Sequence, residues 1–478
     1  MFRRVLLIAP PSSTFLGAVR PPSGLGYLAQ ALLENDIEYS IWDIRDHLRW
    51  DDLTAGINHF RPDLIGVSLV SYEYKHSYNL IERIKAFRPQ TPIVVGGPHV
   101  FVLRETVLRD CPAVDYAVVG DGEQALVRLC QGEMPLEEMP GLVYRRDGEI
   151  LSSPSTSFIE ELDSISFPRY VGFGMDHYAR EMPLITSRGC PFRCVFCPNS
   201  RMAQGFRARS ASHVADEIQY WYERGIRKFN IDDDNFTLIK ERVYEICDEI
   251  EQRNLHDLFI RCANGLRADR VDRPLLARMK EIGVREVGIG ADGGNNRVLQ
   301  EVVHKGETIE DVEQAIQAAL DVGMQVKLFA TLGNPGETMA DIQDTFALAE
   351  RYPFLRVQLY NPIPYPGTEL YEIVTDRGLF VIPPEEYLNS VQDDEGISPV
   401  FETPELSAEA RRQILKHARK LERAVTRRAT ERLFHGTPML SKAAGYFFSS
   451  QIGQWFFFKN MFTRSLINRV WYKKMVSE

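Results

Sequence analysis

The chain has 478 residues, 44% hydrophobic and 26% charged, the balance of an ordinary globular protein with two or three domains. No window offers about 18 uninterrupted apolar residues, and the run Val5–Ala9 is too short for a signal-peptide core, so neither a membrane span nor export is expected. The net charge of −10 conceals a split: residues 411–478 carry fifteen Lys/Arg against three Glu, leaving −22 on the rest. Such a tail is expected to meet something anionic or to dock on the acidic body.

From Val5 onward the apolar runs VLLIA, EYSIWD, LIGVSLV, PIVVGG and YAVVG alternate with helical patterns such as Leu25–Glu34 and Tyr78–Phe87. This predicts an α/β fold, with a flavodoxin-like (Rossmann-like) parallel domain over residues 1–135. Ligands in that fold sit at the C-terminal ends of the strands. Here those ends carry Pro10, Ser68 and Ser71, the segment Gly96-Gly97-Pro98-His99, and the segment Gly120-Asp121-Gly122-Glu123. Each serves as a tight turn, and together they suit a planar or nucleotide-like ligand brought close to the backbone. Residues 136–182, Pro-rich and irregular, are expected as a linker with a hairpin turned at Asp147-Gly148.

A second alternation follows: PLITS, KFNID, FIRCA, EVGIG, VKLFATL and RVQLY. Its helices include Ser212–Arg224, closed by Gly225, and Val312–Val322, closed by Gly323. It predicts a partial (β/α)6 TIM-type barrel over 183–375, with catalytic groups at its C-terminal strand ends. Residues 376–478 are expected to form a helical, basic and aromatic C-terminal region.

Directly after the first barrel strand comes TSRGCPFRCVFCPN, with Cys190, Cys194 and Cys197 in a C-x3-C-x2-C spacing. In a cytoplasmic, reducing setting cysteines are thiols or metal ligands. A structural zinc wants four protein ligands, and neither His177 nor His213 has zinc-finger spacing to supply the fourth. A four-iron cluster held by three thiolates leaves one iron open to a small molecule. Spacing and position favour the cluster; a structural zinc in a non-enzymatic sensor is the alternative. Cys111, Cys130, Cys247 and Cys262 are expected as small core residues. Arg261, Asn264, Tyr360 and Asn361 end later strands, and Thr338-x-x-Asp341 has the form of a capping box.

The cysteine motif, with Phe196 before its last cysteine, resembles the signature of the radical S-adenosylmethionine (SAM) enzymes, and the whole chain resembles their cobalamin-binding branch. The matching pieces run in family order over residues 4–375: PPSGLGYLAQALLE, VVGGPHV, VDYAVVGDGE, ELDSISFPRY, SRGCPFRCVFC, FRARS, IDDDNFT, GNPGET and PIPYPGTELYE. The resemblance implies a [4Fe–4S] cluster on Cys190, Cys194 and Cys197, SAM on its fourth iron, and a cobalamin between the front domain and the barrel. It makes the strand-end residues 10, 68, 71, 96–99 and 120–123 cobalamin contacts. Phe196, Arg207, Arg209, Asp233 and Asp292 become cofactor contacts, the arginines pairing with the SAM carboxylate. Two departures stand out. The loop Pro10–Thr14 lacks the Asp-x-His-x-x-Gly motif that supplies a histidine to cobalt, and Gly290-Ala-Asp-Gly293 stands where relatives have Gly-Ile-Glu-Ser.

The implied activity is transfer of a methyl group from methylcobalamin to an unactivated carbon, after hydrogen abstraction by a 5′-deoxyadenosyl radical. A cobalamin-containing radical enzyme that cyclises, rearranges or oxidises is the alternative. The expected partners are a small-molecule substrate, with a hydrophobic one compatible, and a flavodoxin- or ferredoxin-like reductant, with no nucleic acid. The aromatic window 443–458 with its basic flanks reads as a lid or docking helix, or as a peripheral contact with the inner face of the membrane.

Overall fold

The computed structural model describes residues 1–11, 20–45, 49–153, 155–199, 205–389, 397–433, 442 and 445–447. The chain divides into two compact units, one built mainly from residues 19–179 with the N-terminal strand, the other mainly from 180–383 with the C-terminal region.

In the front unit five parallel strands form the expected sheet: β1 (Arg4–Ala9), β2 (Glu38–Asp43), β3 (Leu64–Ser68), β4 (Ile93–Gly96) and β5 (Tyr116–Val118), in the order β2-β1-β3-β4-β5. The order reverses between β1 and β3, which is the switch point where such sheets open a crevice at their C-terminal ends. Strand runs such as Val5–Ile8 and Leu64–Ile65 are almost wholly buried, because helices cover both faces of a parallel sheet. The sheet then grows beyond the sequence expectation. Strands β6 (Leu142–Arg146) and β7 (Glu149–Ser152) add to it antiparallel, Tyr144 opposite Tyr116. The predicted hairpin is present, with Asp147 at φ 51° and Gly148 at φ 83°, as a two-residue type I′ turn requires. Residues 136–179, read from the sequence as linker, therefore belong to the front unit. So do residues 384–389, where Leu388 C=O accepts the Glu73 N–H at 2.6 Å.

In the second unit six parallel strands lie in chain order: β8 (Met182–Leu184), β11 (Lys228–Ile231), β12 (Phe259–Leu266), β13 (Val284–Gly290), β14 (Gln325–Thr331) and β15 (Arg356–Tyr360). Between β8 and β11 a short antiparallel pair, β9 (Ser187–Arg188) and β10 (Arg207–Ala208), brackets the cysteine loop. The strands have two chemically different faces. Phe229, Ile231, Ile260, Cys262 and Val287 are buried, and Ile231 and Ile260 pack against Val243 and Ile246 of the helix Lys240–Gln252. The alternate residues Lys228, Asn230, Arg261, Glu286 and Lys327 share the opposite face, where Arg261 pairs with Glu181 and Lys327 with Glu286. A closed TIM barrel fills that face with branched apolar side chains; this open one lines it with ion pairs. Thr338 and Asp341 do form the predicted capping box at the helix Met339–Arg351.

The open edge at β15 is closed by the C-terminal helix Ala408–Leu433. Glu422 Oε1 accepts the Leu359 N–H at 2.7 Å, and Arg419 Nη2 donates to Leu359 C=O at 2.5 Å, so side chains complete the edge in place of another strand. The same helix buries Arg411, which donates to Gly333 C=O and stacks over Phe401. Beside it the Glu337 carboxyl, 1% exposed, accepts from Gly333 N–H and Asn334 Nδ2. Burial raises Glu337 to about 7 and lowers Arg411 to about 10. The expected aromatic window 443–458 lies outside the described residues except for 445–447, and among the described residues no helix is long and apolar enough to cross a membrane.

Replacing Glu422 with Ala leaves the Leu359 N–H without its acceptor, and a loss of about 1–3 kcal/mol in urea unfolding is expected. The folded state holds the Glu337 proton more tightly than the unfolded chain, so stability should fall as pH rises from the ordinary 4.5 to about 7. Unfolding of wild type and Glu337→Gln at both pH values should show the wild type losing on the order of 3 kcal/mol relative to the variant across that window.

Candidate active site

The site is built on the segment after β8. Backbone there cannot follow the sheet, and two acids from the end of β11 hold it instead. Asp233, buried, accepts the Thr186 N–H at 2.6 Å, the Thr186 hydroxyl at 2.5 Å and the Ser187 hydroxyl at 2.6 Å. Burial pushes its carboxyl up, while Arg242 and these three donors oppose the rise. Asp234 accepts the Gly189 N–H at 2.9 Å and the Asn199 amide at 2.5 Å, clasping both ends of the loop. The middle is fastened at Val195, whose N–H donates to Val303 C=O at 3.1 Å and whose C=O accepts the Leu370 N–H at 2.9 Å.

Cys190, Cys194 and Cys197 are thus displayed on one fixed loop at the C-terminal rim of the sheet. All three are half-buried and in no disulfide, whereas Cys111, Cys130, Cys247 and Cys262 are buried, as expected of core residues. Burial pushes the Cys194 thiol up to about 12, so a metal must displace its proton to bind there. Asn235 Nδ2 lies 3.8 Å from Cys190 Sγ. Among the described residues no three His, Cys, Asp or Glu converge around a single ion. Three soft, separately placed thiolates on one loop are a donor set suited to an iron–sulfur cluster.

The residues expected to touch SAM divide. Phe196 is half-buried in the loop itself, and Arg207 lies on β10, opposite Arg188 of β9. Arg209 is a correction: it is 3% exposed and donates to Glu217 at 2.5 Å, Ile185 C=O at 3.1 Å and His213 C=O at 2.8 Å, so its guanidinium is spent inside the fold. Asp233 likewise clamps backbone and hydroxyls of its own chain. Asp292, at φ 59°, pairs with Lys305, which also donates to Gly290 C=O at 2.6 Å and lies 3.3 Å from Glu307. Arg261 sits low on β12, paired with Glu181, and not at the mouth. Asn264 donates to Asp232 C=O at 2.7 Å, Asn361 to Ser398 C=O at 3.0 Å, and Tyr360 stands exposed at the end of β15.

The sequence missed Arg267, Lys305 and Glu307. Lys305 and Glu307 come from a stretch without strand or helix periodicity, and the Arg267 guanidinium lies 3.4 Å over the ring of Phe192 in the cysteine loop.

In the front unit Pro10 is buried at the end of β1, and Ser68, Ser71, Gly96 and Gly122 are half-buried at the rim, with Pro98 exposed. Two of the expected glycines have internal reasons. A Cβ on Gly97 would stand 2.6 Å from Leu69 O, and one on Gly120 would stand 2.0 Å from Ser157 O, where the chain crosses back over the strand end. Asp121 Oδ2 accepts the Ile159 N–H at 2.9 Å in the same crossing, and Glu123 is buried in the first turn of the helix Glu123–Gln131. At Gly96 a Cβ would find only Val118 O, at 4.0 Å, which leaves that stretch of backbone approachable. His99 is not at a ligand surface. It is fully buried, bonded to Tyr78 Oη at 2.9 Å and Ser71 Oγ at 3.3 Å, and stacked on Tyr74. Burial lowers it to about 4, so it is a neutral imidazole.

Residues 184–349 match the family model of the radical SAM superfamily, and residues 16–130 that of the B12 binding domain. An uncharacterised methyltransferase of Pyrococcus horikoshii is 30% identical over 391 residues, covering 79% of this chain and 84% of that protein. Cytidylyl-2-hydroxyethylphosphonate methyltransferase of Streptomyces wedmorensis is 28% identical over 83% of this chain and 86% of its own. Anaerobic magnesium-protoporphyrin IX monomethyl ester cyclase of Rubrivivax gelatinosus is 26% identical over 75% and 67%. In fold the chain is similar to the radical SAM methyltransferase TsrM of Kitasatospora setae, with cobalamin and a [4Fe–4S] cluster bound, at a TM-score of 0.72 and 19% identity, covering 93% of this chain and 98% of that one. The cobalamin-dependent radical SAM enzyme OxsB matches at 0.73 and 15% identity, over 98% and 75%. With a parallel-sheet front unit, an open six-stranded barrel and a clasped three-cysteine loop, the chain belongs to the cobalamin-dependent radical SAM methyltransferases, enzymes whose cofactors are a [4Fe–4S] cluster, SAM and cobalamin.

Proposed function

We propose that the protein methylates an unactivated carbon of a small-molecule substrate by a radical route. The observation that supports this most is the cysteine loop. It is pinned at Thr186, Gly189, Val195 and Asn199, which holds three thiols at the strand-end rim in a chain whose front unit matches a B12-binding domain. When bound, the cofactors supply hydrogen abstraction and the methyl group, chemistry that no side-chain base could perform on such a C–H bond.

The chain's own residues supply position. Cys190, Cys194 and Cys197 would hold the cluster; Asp233 and Asp234 fix the loop that presents them. Phe196, Arg207 and Asp292 are proposed SAM contacts, and the rim at Pro10, Ser68, Ser71, Gly96, Pro98 and Gly122 a proposed cobalamin cradle. Gly97, His99, Gly120, Asp121 and Glu123 support that rim from within. Tyr360 and Asn264 stand at strand ends where substrate is expected. A flavodoxin- or ferredoxin-like reductant would provide the electron, and the basic, aromatic tail would suit a peripheral contact with anionic lipid. The cyclase relative supports a second, non-methylating reading.

Anaerobic incubation of the reconstituted protein with SAM, a reductant and substrate should release S-adenosylhomocysteine and 5′-deoxyadenosine together; 5′-deoxyadenosine alone would turn the assignment to cyclisation or rearrangement. Cys194→Ala should abolish SAM cleavage, read by chromatography, while leaving cobalamin binding intact by its visible absorbance.

A further inference from the structure

The segment 303–307 is fastened to the cysteine loop in an unusual way. Residues Val298–Val302 form a π-helical turn, closed by the Val303 N–H donating to Val298 C=O at 2.9 Å, and His304 follows in the left-handed region at φ 52°. Wide turns and positive-φ residues of this kind are sparsely populated, and they persist where the surroundings impose them. Here Val303 C=O accepts the N–H of Val195, between Cys194 and Cys197, and the Lys305 N–H donates back to Leu299 C=O at 2.7 Å.

Two residues on, the Lys305 side chain is 7% exposed, held by Gly290 C=O, Asp292 and Glu307. Its own C=O accepts from Arg267 Nη1 at 2.8 Å, the arginine that lies over Phe192. Burial raises the Cys194 thiol; the Lys305 charge opposes that rise and the Asp292 charge adds to it. Burial alone would lower the Lys305 ammonium, but Asp292 and Glu307 outweigh it and keep it charged.

We propose that Lys305 and Asp292 form an opposed charge pair that sets the reduction potential of the cluster on Cys190, Cys194 and Cys197. One-electron reduction adds negative charge to the cluster. In a poorly solvated site the Lys305 ammonium favours that state and the Asp292 carboxylate opposes it. Lys305 is a positioning residue in this scheme, acting through the cluster and not on substrate. The inference rests on the cluster assignment above.

The test is an electron paramagnetic resonance redox titration of the full-length, anaerobically reconstituted protein. Lys305→Met should lower the midpoint and Asp292→Asn should raise it. Each shift should be at least tenfold in the reduced-to-oxidised ratio at fixed potential, about 59 mV for a one-electron couple. Lys305→Arg should stay near the parent, and the double variant Lys305→Met/Asp292→Asn should return toward it. Unmoved midpoints, or shifts of the same sign in both single variants, overturn the proposal. If Lys305→Met takes up no iron, Asp292→Asn and Lys305→Arg decide it alone: a raised midpoint in the first with an unmoved one in the second supports it, and any other result overturns it. A parent protein that binds no cluster would instead strike down the functional assignment.

Discussion

The carboxylates of Asp233 and Asp234 hold the rest of the active site in place. Residues 189–198 of the cysteine loop are neither helix nor strand, so their backbone groups must find partners elsewhere. A carboxylate suits this task, because each oxygen accepts more than one strong hydrogen bond. Asp233 gathers three donors from two adjacent residues, and Asp234 reaches Gly189 and Asn199 at either end of the loop. Burying such charges is costly unless they are compensated. The Arg242 charge opposes that cost at Asp233, its guanidinium held by Thr186 C=O at 2.6 Å and Arg209 C=O at 3.0 Å, and Arg209 in turn is paired with Glu217. Charge, more than apolar packing, therefore sets where the thiols stand.

The barrel makes the same division on a larger scale. Its apolar burial is concentrated on the helix-facing side of the strands, which leaves the other side available for polar work. An open barrel also has an exposed edge, and the C-terminal helix closes it by lending Glu422 and Arg419 to the backbone of Leu359. That helix, the most basic long element among the described residues, is tied to the core of the second unit through Arg411 and the buried Glu337 loop. Part of the positive charge concentrated at the C-terminus is thus structural: it is used on carbonyls and carboxylates of the same unit.

Which parts were legible follows from the range of the interaction involved. Strand runs such as Leu64–Ser68 and Val326–Thr331 announce themselves locally, and the parallel α/β class followed from their alternation with helices. The cysteine spacing was equally local. Gly120 was harder: its missing side chain makes room for Ser157, a neighbour in space that lies far along the sequence. Arg209 was misread for the same reason, since Glu217 and His213 claim it only once the helix Ala211–Glu223 turns them toward it. The hairpin at Asp147-Gly148 was readable, but not the sheet edge that it joins, because β5 offers that edge only after folding.

At the end of β13, where the resemblance leads one to expect a Glu, the chain carries Asp292. A shorter acid at 292 gives up reach, yet the backbone there adopts a left-handed conformation, a strain of about 1–3 kcal/mol for a residue other than glycine. Neighbouring β14 over-determines it: the Asp292 N–H donates to Phe329 C=O at 3.2 Å, and its C=O accepts the Thr331 hydroxyl at 3.2 Å. So fixed, the carboxylate meets Lys305, itself delivered by the π-turn that is anchored to Val195. Strand end, cation and cysteine loop are therefore joined in one line of contacts. The short Asp292 side chain need not reach far within it, because the buried Lys305 ammonium comes to the carboxylate.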